Sequence, residues 1–169
     1  MNWTVKQGNI IDEPADVLVC SANHSLNLSG GVGADLLGRF GPKMQAALHK
    51  IIANRSPKLL EQGEVVAYAD ESIPYKAIVH AVAIDGWYDS SPKIITGTVT
   101  KALNLAARYF AKKVALTALA TGFGHLTMEQ FAEGVRPLRS LDFPPIEEVC
   151  IVLMEDNQVQ KLASAFLNS

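Results

Sequence analysis

The chain has 169 residues, 49% of them hydrophobic and 19% charged, with a net charge of −2. That length and apolar content suit one domain with a substantial core, spanning residues 1–169, and the near-balanced charge excludes a general electrostatic surface for nucleic acid. No apolar run is long enough to cross a bilayer, the segment from Met1 to Lys6 lacks the apolar stretch of a signal peptide, and Cys20 and Cys150 lie in apolar runs, so reduced core thiols and a cytoplasmic setting without membrane contact are expected.

Trp3–Val5 reads as a short strand ending at Gln7-Gly8-Asn9, and Ile10–Asp16 leads to a β-branched run, Val17–Cys20, that reads as a buried strand. A polar, glycine-rich segment follows from Ser21 to Gly33, and a helical pattern begins at Ala34 and runs to Arg39. Strand, glycine loop and helix in that order present backbone N–H groups at a helix N-terminus, where anions bind. The known phosphate motifs do not fit: Gly33 to Gly38 has P-loop spacing, but Arg39-Phe40 stands where Lys followed by Ser or Thr is needed, and no dinucleotide-type glycine pattern follows a strand. A tight turn packing the helix on the strand is the competing reading.

Gly41-Pro42 breaks the first helix and opens a second, to about Ala53, with Met44, Ala47, Leu48, Ile51 and Ile52 at helical spacing. Glu64–Ala69 and Ala77–Val82 are strands, the second apolar throughout as in a central strand. After a loop over Ile84–Ser90, Ser91-Pro92 caps a helix with Val99, Ala102, Leu103, Ala106 and Phe110 on one face. Lys113–Ala120 is the next strand and ends in a second glycine loop, Thr121-Gly122-Phe123-Gly124-His125-Leu126. Thr127 to Gln130 form a capping box opening a helix limited by Pro137. Val149–Met154 is the last strand, and Asp156 or Asn157 caps a final helix with Val159, Leu162, Ala163, Phe166 and Leu167 aligned.

Strands alternate with helices, which predicts an α/β class with helices on both faces of the sheet. Ligands of such sheets sit beyond the carboxyl ends of the strands, and two strands here end in glycine-rich loops. Facing one another, these loops form a diphosphate cradle. The two cysteines make no zinc set, and neither a metal nor a cofactor is expected.

These segments resemble the macro domain family, an ADP-ribose-binding fold. The resemblance rests on Gly8-Asn9-Ile10, Val19-Cys20-Ser21-Ala22-Asn23, Ser29-Gly30-Gly31-Val32-Gly33, Gly63-Glu64-Val65-Val66, the run from Ile73 to Val82, and Ala120-Thr121-Gly122-Phe123-Gly124. It covers nearly the whole chain in order. It implies a three-layer α/β/α sandwich around a mixed, mostly parallel sheet, and a partner that is ADP-ribose or an ADP-ribosylated protein. It implies that Asn9 accepts from the adenine amino group with the Ile10 backbone beside it, and that Asn23 bonds the distal ribose. Gly30, Gly31, Val32 and Gly33, with Thr121, Gly122, Phe123, Gly124 and His125, are implied to surround the two phosphates and that ribose. By residue chemistry alone, Asn23 also reads as a turn asparagine bonding its own backbone, and Phe123 as a loop aromatic turned into the core.

The chain departs from the family pattern at three positions. Asn9 stands for the acidic adenine contact, Cys20 for the first asparagine of the Asn-Ala-Ala-Asn motif, and Gly33 for the aspartate of the hydrolytic branch, with Asp35 two residues on. Binding is therefore expected, with slow hydrolysis of ADP-ribosylated protein or O-acetyl-ADP-ribose as an alternative and an altered pocket for another nucleotide or a protein as a third reading. An aspartate restored at position 33 is expected to raise turnover. Of the histidines, His80 reads as a hydrogen-bonded core residue and His24 as a loop surface residue. His125 is the candidate base, since histidine titrates near neutrality.

Overall fold

The computed structural model describes residues 1–166. Six strands form one sheet: β1 (Asn2–Gln7), β2 (Val17–Ser21), β3 (Val65–Tyr68), β4 (Ala77–Ala81), β5 (Lys113–Leu116) and β6 (Glu148–Leu153). Their spatial order is β1-β6-β5-β2-β4-β3. Every neighbouring pair is parallel except β3 and β4. The apolar runs of β2, β4, β5 and β6 follow from this arrangement, because strands covered on both faces have no solvent side to make polar.

Helices α1 (Gly31–Phe40) and α2 (Pro42–Ile52) cover one face; α3 (Pro92–Arg108), α4 (Met128–Val135) and α5 (Asp156–Phe166) cover the other. Alternate residues of β2 divide the core. Leu18 and Cys20 pack with Leu36, Met44 and Leu48 of the first layer, while Val17 and Val19 pack with Val99, Leu103 and Phe131 of the second. The result is the expected three-layer α/β/α sandwich with a mixed, mostly parallel sheet. The Thr127–Gln130 capping box closes reciprocally at the start of α4, and Pro137 falls in a 3-10 turn after it.

Some boundaries differ from the pattern. The β5 ladder ends at Leu116; Thr117 N–H still bonds Val19 O at 3.0 Å, but Ala120 at φ 65° has already turned the chain, so the last four residues of the expected strand belong to the loop. Phe110 is not on the buried face of α3. It follows the helix at φ 54°, with its N–H on Ala107 O and that of Ala111 on Ala106 O, which is the left-handed closure of a helix end. Its ring is exposed, and Ala111 is buried in its place. Asp156 and Asn157 lie within the first turn of α5, because the Glu155 carbonyl accepts from Gln158 and Val159. Leu167, expected on the same face, lies outside the described residues.

Candidate functional site

A cleft of about 550 Å³ opens at the carboxyl ends of β2, β4, β5 and β6. Its lining includes Asn23, Gly30 to Gly33 and Thr121 to Gly124, so both glycine loops meet in one cavity. Glu155, at the β6 end, is the one Asp, Glu, Lys or Arg among the described lining residues.

The first loop is held by side chains rather than by a ladder. Asn23 Oδ1 accepts the N–H of Asn27 at 2.9 Å and the Ser25 hydroxyl at 3.1 Å, while its Nδ2 donates to Asn27 O at 2.8 Å. Asn23 is thus the turn asparagine that residue chemistry allows, and it faces the cleft as well. Gln45 on α2 grips the next residues, accepting from Leu28 N–H at 2.6 Å and donating to Leu26 O at 2.8 Å; His49 Nε2 lies 2.8 Å from Asn27 Oδ1.

Helix α1 begins at Gly31, three residues before the expected Ala34, so the glycine segment is itself the first helical turn. Gly30 (φ 63°) and Gly31 (φ 49°) take left-handed backbone that a side chain disfavours, and no side chain caps the helix. The N–H groups of Gly31, Val32 and Gly33 therefore stay open among the described residues, as the first turn of a helix leaves them. Gly33 is buried, and a Cβ there would stand 3.3 Å from Leu28 Cα.

The second loop is a tight reversal. Thr121 Oγ1 donates to Ala118 O at 2.7 Å, and Leu126 N–H to Ala120 O at 3.1 Å. Gly124 crosses directly over Ala120, where any Cβ would collide with the Ala120 carbonyl. The N–H groups of Gly122, Phe123 and Gly124 carry no intramolecular hydrogen bond among the described residues. Those of Thr121 and His125 do, to Ala118 O and Tyr88 O, which removes both from the expected donor set. Phe123 is 72% exposed, not turned into the core. Its ring lies across the first loop, 3.0 Å from where a Gly30 Cβ would stand. Open N–H groups at a helix N-terminus, faced by a second set, suit an anion.

Asn9 and Ile10 are not in the cleft lining. Asn9 caps a 3-10 turn over Ile10–Asp12, accepting from Ile11 N–H at 3.2 Å, and Ile10 is buried in the core beside α1 and α2. The expected adenine contact thus draws no support from the lining. The β6 end of the cleft is instead formed by Met154, Glu155 and Gln158, none of which had a motif to mark it.

The histidines divide three ways. His24 is half-buried rather than at the surface: its Nδ1 lies 2.7 Å from Leu60 O, clipping the segment after α2 to the loop. His80 borders the cleft floor at 1% exposure, and its Nε2 is buried without the hydrogen bond expected of a core histidine. Burial pushes its imidazole down to about 4. His125 lies beside the mouth, outside the lining, with Nδ1 2.8 Å from Asp89 Oδ1. Burial pushes the Cys20 thiol up to about 12, so it packs as an inert apolar group, and both cysteines are free. Among the described residues no group of three or more His, Cys, Asp or Glu side chains is placed to hold a metal, and no helix is long and apolar enough to cross a membrane.

Comparison with known proteins gives a concordant result. The family model described as Macro domain matches residues 19–134. The Streptomyces griseus "Macro domain-containing protein in non 5'region" is 34% identical over 152 residues, covering 88% of this chain and 85% of its own length. An O-acetyl-ADP-ribose deacetylase of Cronobacter turicensis is 29% identical over 120 residues, covering 70% of this chain and 67% of its own. A mutant Oceanobacillus iheyensis macrodomain solved with ADPR superposes with a TM-score of 0.82 at 19% identity, covering 95% of this chain and 89% of that one.

Proposed function

The chain belongs to the macro domain family, and on that premise we propose that its cleft binds ADP-ribose, free or attached to protein. The observation that carries this reading is that two loops with open backbone N–H groups, Gly31 to Gly33 and Gly122 to Gly124, line one cavity. The diphosphate lies between them, held by neutral donors and the helix dipole rather than by lysine or arginine. The distal ribose lies by Asn23 under the Phe123 ring. The base lies toward the β6 end, along Met154, Glu155 and Gln158. At the mouth, the exposed rings of Trp87, Tyr88 and Phe123 leave an apolar rim for a protein that carries the ADP-ribosyl group. Two buried free thiols fit a reducing, cytoplasmic compartment.

Thermal unfolding with ligand tests the reading. ADP-ribose raises the midpoint progressively with concentration, as mass action on the folded state requires, and AMP raises it far less. Hydrolysis is a second reading, favoured by the name of the Cronobacter relative and by the His125–Asp89 pair.

A further inference from the structure

We propose that the turn from Asp85 to Asp89 is the docking surface for the protein that carries the ADP-ribosyl group, and that it selects modified sites flanked by lysine or arginine. This rests on the ADP-ribose reading and adds to it the chemistry of the partner. The turn lies between β4 and α3, and its backbone is tied down from several sides. Asp85 Oδ1 accepts the N–H groups of Trp87 and Asp89, each at 2.9 Å. Asp85 N–H donates to Asp89 O at 2.9 Å, and Tyr88 N–H to Asp85 O at 3.1 Å. Gln62 Nε2 donates to the Asp89 carbonyl at 2.9 Å, and His125 N–H to that of Tyr88 at 3.0 Å. Tyr88 itself stands at φ 67°, a left-handed conformation that is costly for a bulky side chain.

The side chains on this tethered backbone nevertheless face solvent. Trp87 is 77% exposed, Tyr88 51%, and the Asp89 side chain 63%. A turn needed only to join β4 to α3 gains nothing from a bulky residue at positive φ or from an indole in water. Fixed aromatic rings at the surface suit a binding face, because little freedom is left to lose on contact. The place of the turn tells what it contacts. Tyr88 and Phe123 line the cleft, and the proposed site puts the distal ribose under the Phe123 ring. That ribose is the end joined to protein in an ADP-ribosyl group, so the chain around the modified residue passes over Trp87 and Asp89.

Charge then selects the flanking residue. From Ile84 to Pro92 the chain carries two carboxylates and no lysine or arginine. Among the described residues neither Asp85 nor Asp89 pairs with a lysine or arginine; Asp89 meets His125, 2.8 Å away. A guanidinium or ammonium laid on the Trp87 ring beside Asp89 gains a cation–π contact and an opposite charge together. An acidic flank meets like charge there.

The test titrates the protein with two synthetic peptides, ADP-ribosylated on the same serine and flanked by arginine in one and by glutamate in the other. Wild type binds the arginine peptide about fivefold more tightly, the order expected of one exposed cation–π contact with a carboxylate beside it. That preference shrinks as salt is raised, since exposed charges are screened. Trp87→Ala and Asp89→Asn each bring the preference below about twofold, the scale of losing one of those two contacts. Both variants keep wild-type affinity for free ADP-ribose, because neither residue lines the cleft. Equal affinity of the wild type for the two peptides, or a preference kept in full by both variants, would overturn the proposal. So would a wild-type dimer in sedimentation that Trp87→Ala dissolves, because the ring would then be covered by a second copy of the chain. Failure of the wild type to bind free ADP-ribose overturns the reading beneath it instead.

Discussion

The ring of Phe123 closes on Gly30: a Cβ at residue 30 would lie 3.0 Å from Phe123 Cζ and 3.1 Å from Cε2. Two loops separated by most of the chain's length thus touch over the cleft, and the contact exists only because the first loop has no side chain there. The glycines set both the backbone path and the depth to which the second loop can settle.

Gly31→Glu is expected to abolish ADP-ribose binding while leaving the fold intact. Residue 31 takes φ 49°, its Cβ would be 3.6 Å from the Phe123 ring, and the new carboxylate would enter the open N–H groups of the helix start. Calorimetry checks this on a variant whose circular dichroism matches wild type; unchanged affinity would show that the first loop serves only the fold.

Gly33→Asp reverses the expectation drawn from sequence. A Cβ there presses on the Leu28 backbone, 3.3 Å from Cα and 3.4 Å from the carbonyl carbon, with α2 holding that segment through Gln45. Overpacking of this kind typically costs about 1–3 kcal/mol. Urea unfolding should show that loss, with weaker ADP-ribose binding and no gain in turnover. A variant of wild-type stability with faster hydrolysis would restore the first expectation.

His80 sets an acid limit on stability. Its folded pKa of about 4 lies below the ordinary 6.5, because burial disfavours the charged ring. The unfolded chain therefore binds the extra proton, and the stabilisation present above pH 6.5 is lost as pH falls toward 4. The difference corresponds to ~3 kcal/mol across that window. Denaturant unfolding at pH 7, 5.5 and 4.5 should show a steeper fall in wild type than in His80→Leu; equal slopes would remove His80 as the cause.

Much of the frame was legible because it rests on local pattern. Apolar runs such as Val17–Cys20 marked the inner strands, the Thr127–Gln130 box marked α4, and both glycine loops stood out between strand and helix. Asn23 was legible twice over, as a turn residue and as a cleft residue. What escaped depends on contacts distant in sequence. Nothing near Gly33 shows that Leu28 crowds it, since the α2 side chain of Gln45 holds Leu28 in place. Asp89 carries no motif; it meets His125, 36 residues on, only because the loops after β4 and β5 come together. The early end of β5 was hidden because Ala118 to Ala120 are as apolar as the strand, although they are buried in the loop that follows it.

The most direct test is calorimetric titration of the wild-type protein with ADP-ribose and, separately, with AMP. Saturable one-to-one binding of ADP-ribose is expected, with AMP at least tenfold weaker because it spans only part of the cradle. Absence of ADP-ribose binding at millimolar concentration, with the protein shown to be folded, would contradict the account.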